Sequence, residues 1–303
     1  MQNLAPIVLF VYNRPEHSLE TLQSLQKNKL ADQSILYIIS DGPKEDADAK
    51  GVESVRTICR QVEGFKKVEL IEKPHNDGLA KSIVEGISKL FEKHEKLIVM
   101  EDDLVSSPFF LSFMNQALDR FRKDKEVWHI SGWNYPIEKE GLQEAFFWRA
   151  MNCWGWGSWR DRWQHFEKDP ESLIDRFTKT DIDQFSCGGA FDFWEQVKLN
   201  ASGQMNTWAI FWYATIFRNN GLCLNPTTSY IHNIGLDGSG EHGDDQGQLY
   251  AQELSRIESP RLDIPIEENQ KAVELIKSYV RSLKPSLLKR ALLKLNQLVK
   301  GKR

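Results

Sequence analysis

Three adjacent carboxylates, Glu101, Asp102 and Asp103, close the apolar run Leu97-Ile98-Val99-Met100. Acids packed side by side repel one another. A hard divalent cation such as Mn²⁺ or Mg²⁺ relieves that repulsion, because these ions take one or two carboxylates together with phosphate oxygens. The plain alternative is an acidic loop after a core strand. Other polar stretches stand in the same relation to apolar runs. Asn13-Arg14 follow residues 7–12, Asp41 follows residues 35–40, and Asn76-Asp77-Gly78 open a helical pattern that carries Lys81. An arginine fork binds phosphate or bridges it to a carboxylate. Asp41 could accept from a base or ribose, and Gly78 could let backbone approach a ligand at a helix N-terminus, where anions are favoured. Each also has an ordinary reading as a turn or close-packing residue.

The elements that must position these residues alternate in kind. Continuous β-rich runs at 7–12, 35–40, 68–71 and 97–100 read as strands buried on both faces. Between them, helical spacing runs through Leu19, Leu22 and Leu25, through Val52, Val55, Ile58 and Cys59, and through Ile83, Ile87 and Leu90. That order predicts an α/β fold whose mainly parallel sheet is wrapped by helices on both faces. The strand ends then share one edge, where ligands bind. From about residue 128 the pattern turns aromatic and glycine-punctuated, with helices expected over 190–200 and 207–219 and a flexible loop around Gly235, Gly238, Gly240 and Gly243. The last stretch, 283–303, spaces Leu288, Leu292, Leu295 and Val299 among Lys and Arg with no acid. This basic amphipathic helix is the kind that lies on an anionic membrane surface, or packs on the body with a solvated basic face.

Composition narrows the class. The 303 residues carry a net charge of −4, which argues against nucleic acid as the main partner. Cys59, Cys153, Cys187 and Cys223 are scattered without metal-ligand spacing, as expected of buried thiols in a reducing compartment. No basic-then-apolar leader opens the sequence, and no apolar run approaches the roughly 20 residues that cross a bilayer. The expected location is the cytoplasm, peripheral to the inner membrane face if the terminal helix binds lipid. Seven of the ten tryptophans fall between positions 128 and 163. Flat indoles suit the C–H faces of sugar rings, although tryptophans are also core residues.

The ordered set 10–15 (Phe-Val-Tyr-Asn-Arg-Pro), 40–43 (Ser-Asp-Gly-Pro), 76–80 (Asn-Asp-Gly-Leu-Ala) and 101–103 (Glu-Asp-Asp) resembles the nucleotide-sugar half of a GT-A-fold glycosyltransferase. It is most similar to the N-acetylglucosaminyltransferase I group and its bacterial surface-polysaccharide relatives, over roughly residues 5–245. The resemblance implies a Rossmann-like donor half at 1–127, a mixed acceptor-side half at 128–250 and a helical extension at 251–303. By it, Asp103 ligates Mn²⁺ or Mg²⁺ held by the donor diphosphate, and Asp102 meets the ribose. Glu101 faces the sugar, Asp41 reads the base, and Arg14, Asn76, Gly78 and Lys81 complete the donor set. The segment 151–163 resembles the aromatic acceptor side, with Trp154, Trp156 and Trp159 as acceptor residues. The segment 233–242 resembles a loop closing on the diphosphate, with His242 as a second metal ligand. The implied reaction moves a sugar from a nucleotide-diphosphate donor, a UDP-sugar by preference, to a glycan or lipid-linked oligosaccharide.

The sequence departs from that pattern at the catalytic base. The family's aspartate after a tryptophan reads Thr207-Trp208-Ala209 here, and alanine cannot take a proton. Asp192 and Glu195 are the nearest candidates, against a plain reading as solvated helix acids. A sugar-nucleotide nucleotidyltransferase would use similar acid–metal logic but favours a glycine-rich basic loop after the first strand. A non-catalytic carbohydrate-binding protein would explain the tryptophans but not the strand-end acids.

Overall fold

The computed structural model describes residues 4–238 and 247–283. Strands β1 (Ile7–Val11), β2 (Ile35–Ser40), β3 (Lys67–Glu72) and β4 (Lys96–Glu101) alternate with helices α1 (Pro15–Gln26), α2 (Ala49–Arg60) and α3 (Leu79–Phe91). The four strands pair in parallel in the order β3-β2-β1-β4. Side chains alternate between the faces as a strand's period of two requires. Ile7, Leu9, Val11, Ile98 and Met100 pack with α1 and α2 residues such as Leu22, Leu25 and Val55. Val8, Phe10, Leu97 and Val99 pack with Ile83, Ile87 and Leu90 of α3. Burial on both faces is why these strands read as unbroken apolar runs.

The chain continues through β5 (Leu104–Ser106), α4 (Phe110–Arg120), β6 (Val127–Ser131), β7 (Ala145–Trp148), β8 (Trp156–Trp159) and α5 (Arg160–Trp163). It goes on through α6 (Pro170–Arg176), α7 (Lys179–Phe185), α8 (Phe193–Ala201), α9 (Ala209–Arg218), β9 (Leu222–Pro226), β10 (Ile231–Asn233) and α10 (Gln270–Leu283). The same sheet extends as β8-β6-β9-β7, with β8 reversed between β4 and β6 and β7 reversed at the outer edge. β6 and β9 are parallel, and β5 pairs with β10 in a separate antiparallel ribbon. This is the expected α/β architecture, and both halves share one sheet.

The helix expected from residue 190 begins at Phe193, since Asp192 stands as its cap with φ of −93° and ψ of 37°, outside the helical region. Residues 251–283 pack back on the sheet rather than standing off it. Glu268 bridges to Phe147 of β7, and Ala272, Val273 and Ile276 of α10 are buried. The expected basic helix beyond residue 283 and the candidate ligand His242 lie outside the described residues. Among the described residues no helix is long and apolar enough to cross a membrane.

Candidate functional site

Register brings the acids and the arginine together. Phe10 of β1 lies beside Glu101 of β4, so the residues after each strand emerge side by side at one edge. Pro15 occupies the first turn of α1 and turns the chain just beyond Arg14. Arg14 Nη2 donates to Asp102 Oδ1 and, at 3.0 Å, to Asp103 Oδ2. Asp102 is the inner acid. The Tyr12 amide donates to its Oδ2 at 3.3 Å, and Thr21 Oγ1 donates to its main-chain oxygen at 2.9 Å. Asp103 is the outer acid, its side chain 16% exposed against 6% for Asp102. Burial raises the Asp102 carboxyl above its ordinary value while Arg14 pulls it down. Arg14 is itself held above the usual guanidinium value: burial opposes this, but Asp102 and Asp103 outweigh it.

Glu101, half-buried, accepts no side-chain hydrogen bond among the described residues. Burial, then Asp103 and Asp102, push its carboxyl from 4.5 up to about 8, against the pull of Arg14. Burial and its two acidic neighbours therefore favour the protonated form of Glu101.

Asp41 is committed to the frame. Its carboxylate accepts from the amides of Gly42 (3.1 Å), Asp77 (3.1 Å) and Gly78 (3.0 Å) and from Ser82 Oγ (2.9 Å). It is buried and joins the end of β2 to the start of α3. Those four donors make the carboxylate a joint between β2 and α3. Gly78, the cap of α3 with φ of 77°, makes that turn possible. Asn76 Nδ2 donates to the Gly42 carbonyl at 2.8 Å, and exposed Lys81 pairs with Asp77 at 2.7 Å. Asp48 has no counterpart in the sequence reading. Tyr12 Oη and Asn13 Nδ2 both donate to it at 2.8 Å, steadying the loop that carries Arg14.

The chain after β10 closes on the acids from the other side. The Ile234 amide donates to the Asp103 carbonyl at 2.9 Å, and His17 Nε2 lies 3.2 Å from Asp237 Oδ2. A β-carbon on Gly235 would stand 2.2 Å from Asp103 Oδ2, so only glycine leaves that carboxylate in place. Among the described residues no three His, Cys, Asp or Glu side chains form a metal cage. One outward oxygen donor under a glycine fits a Mg²⁺ or Mn²⁺ ion that takes its remaining ligands from phosphate and water.

The tryptophans divide. Trp156 and Trp159, expected at the acceptor, are core residues, 1% and 2% exposed. Their strand β8 is interior, with neighbours on both sides. Trp159 Nε1 donates to the Leu118 carbonyl, and Trp156 stacks on His129 and Trp208. Trp154 is half-buried beside the site. Its preceding residue, Cys153, has a thiol raised by burial and then by Glu101. Trp154 belongs to a platform of half-buried rings that the sequence reading did not assemble. Its centroid is 5.7 Å from Tyr250, and Tyr135 lies 6.5 Å from Tyr250, 6.2 Å from Tyr279 and 5.9 Å from Phe191. These rings come from separate segments, so no periodic signal marks them. From beneath, Trp212 Nε1 donates to His129 Nδ1 at 3.2 Å, and His129 Nε2 donates to the Asn152 carbonyl at 3.0 Å. Asn152 donates to Asn225 at 2.9 Å. Burial holds His129 neutral, lowering it to about 3, and the relay fixes the loop before Trp154. Asp192 follows Phe191 on the platform's rim, whereas Glu195 faces solvent in an ion pair with Lys198.

The family model of glycosyl transferase family 2 matches residues 7–191. The alpha-1,3-mannosyl-glycoprotein 2-beta-N-acetylglucosaminyltransferase of Arabidopsis thaliana is 21% identical over 265 residues, covering 84% of this chain. The match takes in 51% of that protein, so the chain spans about half the length of this curated relative. Similar solved structures include S. aureus TarS, at 11% identity and a TM-score of 0.44, covering 77% of this chain and 37% of that one. Another is the Pyrobaculum calidifontis mannosyltransferase PcManGT in complex with GDP-Man and Mn²⁺, at 10% identity and a TM-score of 0.39, covering 73% and 72%.

Proposed function

This chain belongs to glycosyl transferase family 2, and from that premise we propose that it transfers a sugar from a metal-bound nucleoside diphosphate to a glycan hydroxyl. The observation that carries the metal-dependent reading is the Arg14–Asp102–Asp103 cluster under Gly235, a cation-and-carboxylate pair at the edge where four parallel strands end. Asp103 would hold Mn²⁺ or Mg²⁺, which when bound neutralises charge on the departing diphosphate. Arg14, already cationic at the same point, would share that charge, the effect expected to dominate such a reaction. Asp102 positions Arg14 through Oδ1 and, each of its oxygens having a second lone pair, would also meet the donor ribose. Glu101 faces the transferred sugar, and Trp154, Tyr135 and Tyr250 receive the acceptor. Asp192, at the platform's rim, takes the acceptor proton. A UDP-sugar donor and a lipid-linked acceptor in surface-polysaccharide synthesis are the finer reading. The relative's N-acetylglucosaminyl transfer and the one-sided basic sequence at 284–303 support it.

The test is release of nucleoside diphosphate from a panel of nucleotide sugars with Mn²⁺, Mg²⁺ or chelator. Asp103→Ala should lose metal-dependent release while melting within a few degrees of wild type. Asp192→Asn should lose transfer by about a hundredfold or more, the usual scale for a general base, with acceptor KM little changed. Full activity of Asp103→Ala in chelator overturns the metal reading, and pyrophosphate as the product would point to nucleotidyl transfer instead.

A further inference from the structure

A groove of about 750 Å³ adjoins the aromatic platform, a size within the range of small-ligand sites. Trp148 joins the two: it lines the groove and meets Tyr135 and Phe191 edge-on, with ring centroids 6.2 Å apart in each case. Its indole N–H is buried without a hydrogen-bond partner. The polar lining gathers Arg149, Arg176, Asp183, Gln184, Glu268 and Lys277 from separate segments. The side chains of Arg176 and Asp183 make no ion pair or hydrogen bond among the described residues. Gly188 also lines it, within the left-handed run 187–189, where non-glycine Cys187 holds a costly backbone conformation.

The chemistry of the lining selects the ligand. A phosphate group needs donors alone and would meet Asp183 and Glu268. An apolar ligand would bury charges without partners. A neutral polyol uses donors and acceptors together, and its hydroxyls can satisfy an arginine, a carboxylate and an amide at once. We propose that this groove binds a neutral oligosaccharide, the distal part of the acceptor glycan whose reacting end rests on the platform. The identification of that ligand as the acceptor rests on the transferase reading above. The groove makes the enzyme selective for an extended acceptor over a monosaccharide.

Binding without donor or metal tests this separately from transfer. The full chain is applied to an array of neutral, phosphorylated and uronic-acid oligosaccharides of graded length. Neutral oligosaccharides should be captured and monosaccharides not. Arg176→Ala and Asp183→Ala, both at exposed positions, should each weaken capture about tenfold, the scale of one hydrogen bond to a charged group. The captured sugar should also shift the Trp148 indole N–H resonance, assigned with Trp148→Phe. The proposal is overturned if no neutral oligosaccharide is captured or if only phosphorylated ones are. Undiminished capture by both variants, or an unmoved Trp148 resonance, overturns it equally.

Discussion

Arg14→Leu removes the one cation that, among the described residues, bonds both Asp102 and Asp103, and its cost can be worked from what remains. Asp103 is exposed enough to return to water, but the Asp102 side chain is 6% exposed and keeps only the Tyr12 amide at 3.3 Å. Removing one partner of a buried ion pair costs about 3–5 kcal/mol. Arg14 is itself 22% exposed, so water re-entering its place should bring the loss down to about 2–3 kcal/mol. For a domain of this size that lowers Tm by roughly 4–10 °C. The loss should shrink as pH falls, because an unpaired buried carboxyl is relieved by taking a proton. Asp102→Asn removes the charge that needs Arg14. The double variant should therefore be more stable than the two single losses added together, by at least about 1 kcal/mol. Urea unfolding followed by tryptophan fluorescence at two pH values measures both quantities. An unchanged midpoint in Arg14→Leu, or strictly additive losses in the cycle, would refute the claim that this pair holds the site together.

Three further outcomes follow from the same geometry. Glu101, whose carboxyl rises from 4.5 to about 8 on folding, binds a proton more readily in the native chain. Stability should therefore fall as pH rises through that interval. Glu101→Gln should flatten the Tm–pH profile measured without metal, and parallel profiles for the two proteins would contradict this. Trp159→Ala should cost about 3–5 kcal/mol by emptying a core position, whereas Trp154→Ala should mainly raise acceptor KM, as thermal melts and steady-state kinetics will separate. Gly235→Ala should weaken metal-dependent turnover severely, since its β-carbon would displace the Asp103 carboxylate, with Tm reporting whether the loss is local.

The donor half was legible because its signals are local and repeated. Runs buried on both faces identify β1, β2 and β4, polar residues mark their ends, and a parallel sheet puts those ends on one edge whatever their separation in sequence. The acceptor half lacks such signals. β8 reads Trp-Gly-Ser-Trp, which has no strand-like alternation, and its reversal is set by pairing with β4 and β6. Trp156 and Trp159 resembled sugar-binding residues because composition reports an aromatic without reporting which way its strand faces. Tyr135, Phe191, Tyr250 and Tyr279 escaped notice because only tertiary packing joins them. Asp41 shows the same limit in another form: its type and place in the sequence do not reveal that the Gly42, Asp77 and Gly78 amides converge on its carboxylate.

The three acids do different work because the turn after β4 sends them to different surroundings. Glu101 still belongs to the strand and accepts no side-chain hydrogen bond among the described residues. Asp102 turns inward, where Arg14, the Tyr12 amide and Thr21 lock it. Asp103 turns outward beneath Gly235. A single divalent ion such as Mg²⁺ or Mn²⁺ at Asp103 would therefore act on all three. Asp103 would then be shared between the cation and Arg14 Nη2, and nearby positive charge would favour the ionised form of Glu101. Arg14 keeps its hold on Asp102 throughout, so the cluster gains a ligand-facing cation without leaving its inner acid unpaired. That separation of a buried inner pair from a more exposed outer contact is what lets three adjacent like charges stand together at one strand end.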